Sequence, residues 1–120
     1  MPKVIGIVGT RRRNTEMDLK KVNDAFLKVY EKGDSICSGL CLKGGDRFAV
    51  IIADLYETPV IWHPAEWNKY GKGAGFKRNL YIARDSDVLI ACVAFDRIGG
   101  TEDTISKFLK MGKTKLILVE

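Results

Sequence analysis

Four glycine-bearing stretches hold the side chains with chemistry to offer: GTRRRN at 9–14, SGLCLKGGDR at 38–47, KGAGFKRN at 72–79 and DRIGGTEDT at 96–104. Each is suited to an anion. Glycine permits a sharp turn and a close approach of backbone N–H groups, and arginine adds a permanently charged planar fork that matches a phosphate bidentately. Gly9 would turn the chain so that Thr10 and Arg11 face whatever sits there. Gly44 and Gly45 precede a helical pattern opening with Asp46 and Arg47, and could present free N–H groups to a phosphate. Gly99, Gly100 and Thr101 lead into another helical pattern, with Thr101 placed to cap it while binding an anion. None of these is a GxGxxG fingerprint or a P-loop, so the signal lies in their number rather than in any one spacing.

The elements that must position them follow from hydrophobic periodicity. KVIGIVG, TPVIW, DVLIACVAF and TKLILVE are continuous β-branched and aliphatic runs, with DSICSG a weaker fifth. Such runs mark strands of a parallel sheet covered on both faces. Between them lie helical stripes: Leu19, Val22, Phe26 and Val29, stopped by Gly33; Phe48, Ile52, Leu55 and Tyr56, with Asp46 as N-cap; Phe76, Leu80 and Ala83; and Ile105, Phe108 and Leu109, ending near Gly112. HPAEWNKYGKGAG at 63–75 is the one long irregular stretch, and long loops in compact domains are often functional. Strand and helix alternate through the chain, which implies a single α/β domain over residues 1–120 with helices on both faces of a parallel sheet. Ligands of such sheets bind beyond the carboxyl ends of the strands, where all four glycine stretches fall.

Composition narrows the class. With 46% hydrophobic and 29% charged residues, the chain reads as a soluble globular domain, and no apolar run approaches the roughly 18–20 residues that cross a bilayer. The N-terminus has no leader pattern, so a cytoplasmic protein without membrane contact is expected. Three cysteines, Cys37, Cys41 and Cys92, lack a CxxC pair; buried free thiols are expected, and no metal set. A net charge of +5 suits an anionic partner without choosing between nucleic acid and a nucleotide. Arg12 and Arg13 divide between solvated surface residues and contacts to a second phosphate. His63 reads as structural and Trp62 as part of the core.

On these residues the chain resembles the SLOG superfamily of Rossmann-like nucleotide-binding proteins. VGTR with SGLCLKGGDRFAVIIA, including Ser38 and Gly39, resembles the DprA pattern. HPAEWNKYGKGAGFKRN with DVLIA and GTEDTI resembles the small YspA-like members, and this second half is the more specific match. The resemblance implies a Rossmann-like three-layer domain with a five-stranded parallel sheet in the order 3-2-1-4-5. It also implies a homodimer or higher homo-oligomer, a nucleotide or NAD-derived nucleotide such as AMP or ADP-ribose as ligand, and no required cofactor. The phosphate would sit against Gly9–Arg11 and Gly99–Thr101 with Arg78 as bidentate partner beside Asn79. The base would lie near the Gly44–Arg47 loop or the Trp67 loop.

The same superfamily includes the LOG phosphoribohydrolases, which cleave nucleoside monophosphates at the N-glycosidic bond. Arg78, Gly100 and Thr101 match their motif. Asp96, Arg97 and Ile98 stand at its PGG positions, and Thr104 stands where the motif has Glu. A hydroxyl cannot replace a carboxylate that stabilises positive charge developing on a sugar. The leading expectation is therefore a binding module, a sensor or sequestering protein. One alternative is an N-glycosidase working through Arg78 with Glu102 or Asp103, and another is DprA-like binding of single-stranded DNA.

Overall fold

The computed structural model describes residues 2–39 and 44–120. The aliphatic runs form five strands, β1 (Val4–Gly9), β2 (Ser35–Ser38), β3 (Val60–Trp62), β4 (Val88–Cys92) and β5 (Leu116–Val119). Five helices accompany them: α1 (Glu16–Val29), α2 (Gly45–Leu55), α3 (Trp67–Tyr70), α4 (Ala74–Asp85) and α5 (Gly100–Lys110), with a single 3₁₀ turn at Gly71–Gly73. All strand pairs are parallel and the order is β3-β2-β1-β4-β5, as the sequence implied. Val22, Phe26, Phe48 and Ile52 of α1 and α2 bury one sheet face, while Ile82, Ala83, Ile105 and Phe108 of α4 and α5 bury the other. Successive crossovers run outward from the centre in both directions, so strand order reverses between β1 and β4. That reversal opens a crevice beyond their carboxyl ends.

Several local expectations are corrected. α1 ends at Val29 with Tyr30 as its extended C-cap, and Gly33 lies beyond it in a turn. α2 is capped by Gly44, not Asp46, which sits buried in its first turn. α5 is capped by Gly99, so Thr101 lies inside the helix. Leu55, Phe76, Leu80 and Leu109 are exposed, because the buried sides of their helices run through Ala53, Ile82, Ala83 and Phe108 instead. β4 ends at Cys92, and Phe95 projects fully into solvent. The long stretch from 63 holds α3 and the 3₁₀ turn rather than an irregular loop. Trp62 is half-buried against the first core cluster, and Cys37 and Cys92 are buried free thiols. Cys41 lies outside the described residues.

One contact decides where the crevice walls stand. The start of α2 packs backbone to backbone on the exit of β1. A Cβ on Gly45 would run into Gly9 N and the carbonyl group of Val8, reaching 2.6 Å from Val8 O, and one on Gly44 would meet the carbonyl of Thr10. Gly44 also has φ of +69°, which disfavours any side chain. A Gly45→Ala substitution should therefore lower the free energy of unfolding by about 1–3 kcal/mol, as overpacking in a tight interior does. Urea denaturation measures this, and a loss under about 0.5 kcal/mol, the range of inconsequential surface changes, would show that α2 can lift off β1.

Candidate functional site

A cavity of about 500 Å³ opens at the β1–β4 crevice. Its floor is the end of β1, Val8 and Gly9, and its walls are the two loops that follow β1 and β4. Gly99, Gly100 and Thr101 bring the N-terminus of α5 to its edge, and no side chain caps that terminus. Helix N-termini carry unpaired N–H groups and partial positive charge, which favours an anion there. Gly99 has φ of +129°, a conformation few side chains accept, so the approach of the loop to the helix depends on glycine.

The three consecutive arginines separate into three roles. Arg11 is exposed at the cavity rim, and among the described residues nothing pairs with it. Arg12 also borders the cavity, but its guanidinium grips both oxygens of Asp96 at 2.7 and 2.8 Å and the carbonyl of Ile98 at 2.8 Å. Those bonds draw the Asp96 carboxyl down to about 2. Arg13 turns inward, where it donates to Asp18 from Nε and Nη2 and to the carbonyls of Val93 and Val119 from Nη1. It ties the exits of β4 and β5 to the first turn of α1. Arg12 is an exposed surface residue, as one of the two readings had it, though pinned to Asp96, whereas Arg13 is largely buried and is neither a solvated surface residue nor placed at the cavity.

α4 supplies the fourth wall. Arg78 and Asn79 border the cavity, with the Nη1 of Arg78 4.0 Å from Asp46 Oδ2. Arg78 Nε is buried with no hydrogen-bond partner among the described residues. A buried guanidinium N–H without an acceptor is costly, and an anionic oxygen arriving from the cavity side would relieve it. The Ser38 hydroxyl lies 2.9 Å from Asp46 Oδ1 and 2.6 Å from Ile7 O, two acceptors that share its one proton. Gly39 leaves room for this arrangement, since a Cβ there would come within 2.6 Å of Arg78 Cδ and 3.0 Å of Asp46 Oδ2.

Gly9, Thr10, Arg11, Asp46, Arg78, Asn79, Gly99, Gly100, Thr101 and Glu102 accordingly meet around one cavity. The other expected site residues stand outside its lining. Ser38 and Gly39 lie behind Asp46 and Arg78. Gly44 and Gly45 are buried against β1, and the Gly44 N–H donates to Asn14 Oδ1 at 2.9 Å, so it is not available to a phosphate. Arg47 bonds the same Asn14 and lies over the Phe48 ring. Trp67, on α3, is exposed and does not line the cavity. Asp103 accepts from Asn79 Nδ2 at 3.0 Å and from Lys107. Glu102 borders the cavity, but Arg97 holds both its oxygens at 2.8 and 2.9 Å. Thr104 is buried, its hydroxyl donating to Gly100 O. Sequence reasoning missed the Arg12–Asp96 latch, which joins residues 84 positions apart and left no local signal.

No protein-family profile matches the chain, and no curated protein matches it. Among solved structures, it is similar to the molybdenum cofactor binding protein from the phototrophic bacterium Rippkaea orientalis. The TM-score is 0.74 over 98% of this chain and 76% of that one, at 24% identity. The two share a fold. That level of identity carries the likeness no further, and the SLOG resemblance rests on the motifs of the sequence alone. No helix among the described residues is long and apolar enough to cross a membrane.

Arg13 gives the site a measurable dependence on pH. Burial works against the Asp18 charge, but hydrogen bonds from the Thr15 backbone, Arg13 and the Thr15 hydroxyl outweigh it and leave the Asp18 carboxyl below its ordinary value of 3.8. A depressed carboxylate contributes stability that is complete above the unfolded value and is lost as pH falls through the folded one. Arg13→Met should cost about 1–3 kcal/mol at pH 7, the range for charged hydrogen bonds. The gap between the urea midpoints of the two proteins should hold from pH 7 down to the ordinary carboxylate value of 3.8 and narrow only below it, where folded Asp18 takes up its proton. An unchanged gap would assign the whole effect to the Val93 and Val119 carbonyls.

Proposed function

We propose that this chain binds a phosphate-bearing nucleotide, of the AMP or ADP-ribose kind, at the β1–β4 edge of the sheet, as a sensor or sequestering module. The observation that carries the reading is one cavity bordered by Arg11, by Arg78, whose buried Nε has no partner among the described residues, and by the N-terminus of α5 without a side-chain cap. A phosphate would accept from all three, and a cavity near 500 Å³ is within the range that holds a ligand of this size. The solved neighbour is a molybdenum cofactor binding protein, so molybdenum cofactor is a second candidate ligand beside the nucleotides.

Two observations favour binding over hydrolysis. The Glu102 carboxylate is engaged by Arg97, and Asp103 is engaged by Asn79 and Lys107 outside the cavity lining. Neither stands open toward a sugar. Against a nucleic-acid role, Arg12, Arg13, Arg84 and Arg97 are each committed to an acidic partner. Their charge is neutralised locally rather than displayed along a groove.

Isothermal titration with AMP, ADP-ribose, NAD and adenosine tests the proposal. Arg78→Met should weaken AMP binding about 10- to 150-fold, the equivalent of one charged hydrogen-bonded contact. Arg11→Ala should weaken it by a similar factor, and adenosine should bind far more weakly than AMP. Adenosine binding as tightly as AMP would overturn the phosphate site. Release of free base that disappears in Arg78→Met would replace binding with hydrolysis, and a steep salt dependence with oligonucleotide would replace it with DNA binding.

A further inference from the structure

On the α4 side of the sheet, apart from the lining of the cavity, three residues from separate elements come together. Cys37 lies in the middle of β2, His63 follows β3 directly, and Asp85 ends α4. One donor atom from each lies within 4.8 Å of the others. His63 Nε2 and Asp85 Oδ2 are 2.6 Å apart. The thiol is fully buried, whereas the His63 and Asp85 side chains retain 17% and 23% exposure, so the cluster is closed toward the sheet and open toward solvent.

We infer that Cys37, His63 and Asp85 form a binding site for one Zn²⁺ ion, with water as the fourth ligand on the open side. Sulfur, imidazole nitrogen and a carboxylate oxygen make a borderline-soft donor set that suits zinc and does not suit Mg²⁺ or Ca²⁺. Ligand bonds of about 2.0–2.3 Å in a tetrahedron place such donors about 3.4–3.6 Å apart. With every donor within 4.8 Å of the others, no pair has to close by more than about 1.4 Å, while His63 and Asp85 would separate by about an ångström, within the reach of side-chain rotation. A thiolate and a carboxylate balance the two charges of the ion, so the loaded cluster buries no net charge. The second Asp85 oxygen is already oriented by Arg84 Nε at 2.8 Å, the kind of support a ligating carboxylate requires. Arg84 Nη2, now 3.2 Å from Oδ2, would give way to the ion.

The ion would join β2, the exit of β3 and the end of α4, the helix that carries Arg78. Titrating the metal-free purified protein with Co²⁺ tests this, because a bound thiolate gives a near-ultraviolet charge-transfer band and a tetrahedral site gives strong visible bands. One equivalent should produce both, and Zn²⁺ should abolish them by displacement. Zn²⁺ at a hundredfold excess over its Kd should raise the melting temperature by more than about 5 °C. Cys37→Ser should remove the charge-transfer band while leaving Cys41 and Cys92 in place, and His63→Gln, at the exposed side of the cluster, should weaken Co²⁺ binding at least about tenfold. A protein that gives no thiolate–cobalt band, or a band that persists in Cys37→Ser, would overturn the assignment and leave the His63–Asp85 contact as a structural hydrogen bond.

Discussion

The close approach of α2 to the end of β1 is the constraint on which the rest of the site depends. Gly9, Gly44 and Gly45 leave no space for a Cβ between the two backbones, so the helix begins directly on the strand exit. That contact sets the path of the loop after β1. Asn14 then reaches the Gly44 N–H and Arg47, Arg13 turns under β4 and β5, and Arg11 and Arg12 are left facing the crevice. It also places Asp46 where Ser38 can hold it beneath Arg78. A shift of α2 by a fraction of its radius would disturb three walls of the cavity together, because packed interiors transmit strain rather than absorb it.

The N-termini of α2 and α5 both reach the carboxyl edge, and the molecule treats them differently. The first turn of α2 is closed by protein, since the β1 backbone covers it and Asn14 takes the Gly44 N–H. α5 starts at the cavity without a side-chain cap. Both begin with a pair of glycines followed by a polar residue, and both glycine pairs read in the sequence as phosphate loops. The difference lies in what the strand beside each helix does. A glycine that admits another backbone and a glycine that admits a phosphate are the same residue, and only the three-dimensional neighbour tells them apart.

What was legible follows the same division. The strands and the two-faced covering of the sheet came from continuous apolar runs such as VIGIVG and VLIAC, whose meaning is set by near neighbours in the chain, whereas the strand order came from the family resemblance. Helix positions were legible too, but their buried faces less so: Phe76 and Leu80 looked like core and are exposed, because small Ala83 and branched Ile82 fill the close packing of α4 against the sheet. The site was legible in its loops and not in its pairings. Arg12 with Asp96, Arg13 with Val93 and Val119, and His63 with Asp85 each join residues at least 22 positions apart, beyond the reach of any local pattern. Arg13 in particular could not be distinguished from its neighbours by type, since three identical side chains in a row take their roles from the direction in which the turn throws them.

The fate of those arginines also bears on how a net charge of +5 should be read. A basic balance suggests an anionic partner only when the charge is available at a surface. Here Arg12, Arg13, Arg84 and Arg97 are matched to Asp96, Asp18, Asp85 and Glu102 in short pairs, so they shape loops and helix ends instead of projecting a field. The cavity keeps Arg11 without a partner among the described residues beside the start of α5, a charge that would suit one phosphate group better than a polyanion. α4 connects it to the opposite cluster, with Arg78 in its first half and Asp85 at its end. A ligand held by Arg78 and an ion held by Asp85 would therefore sit on one helix.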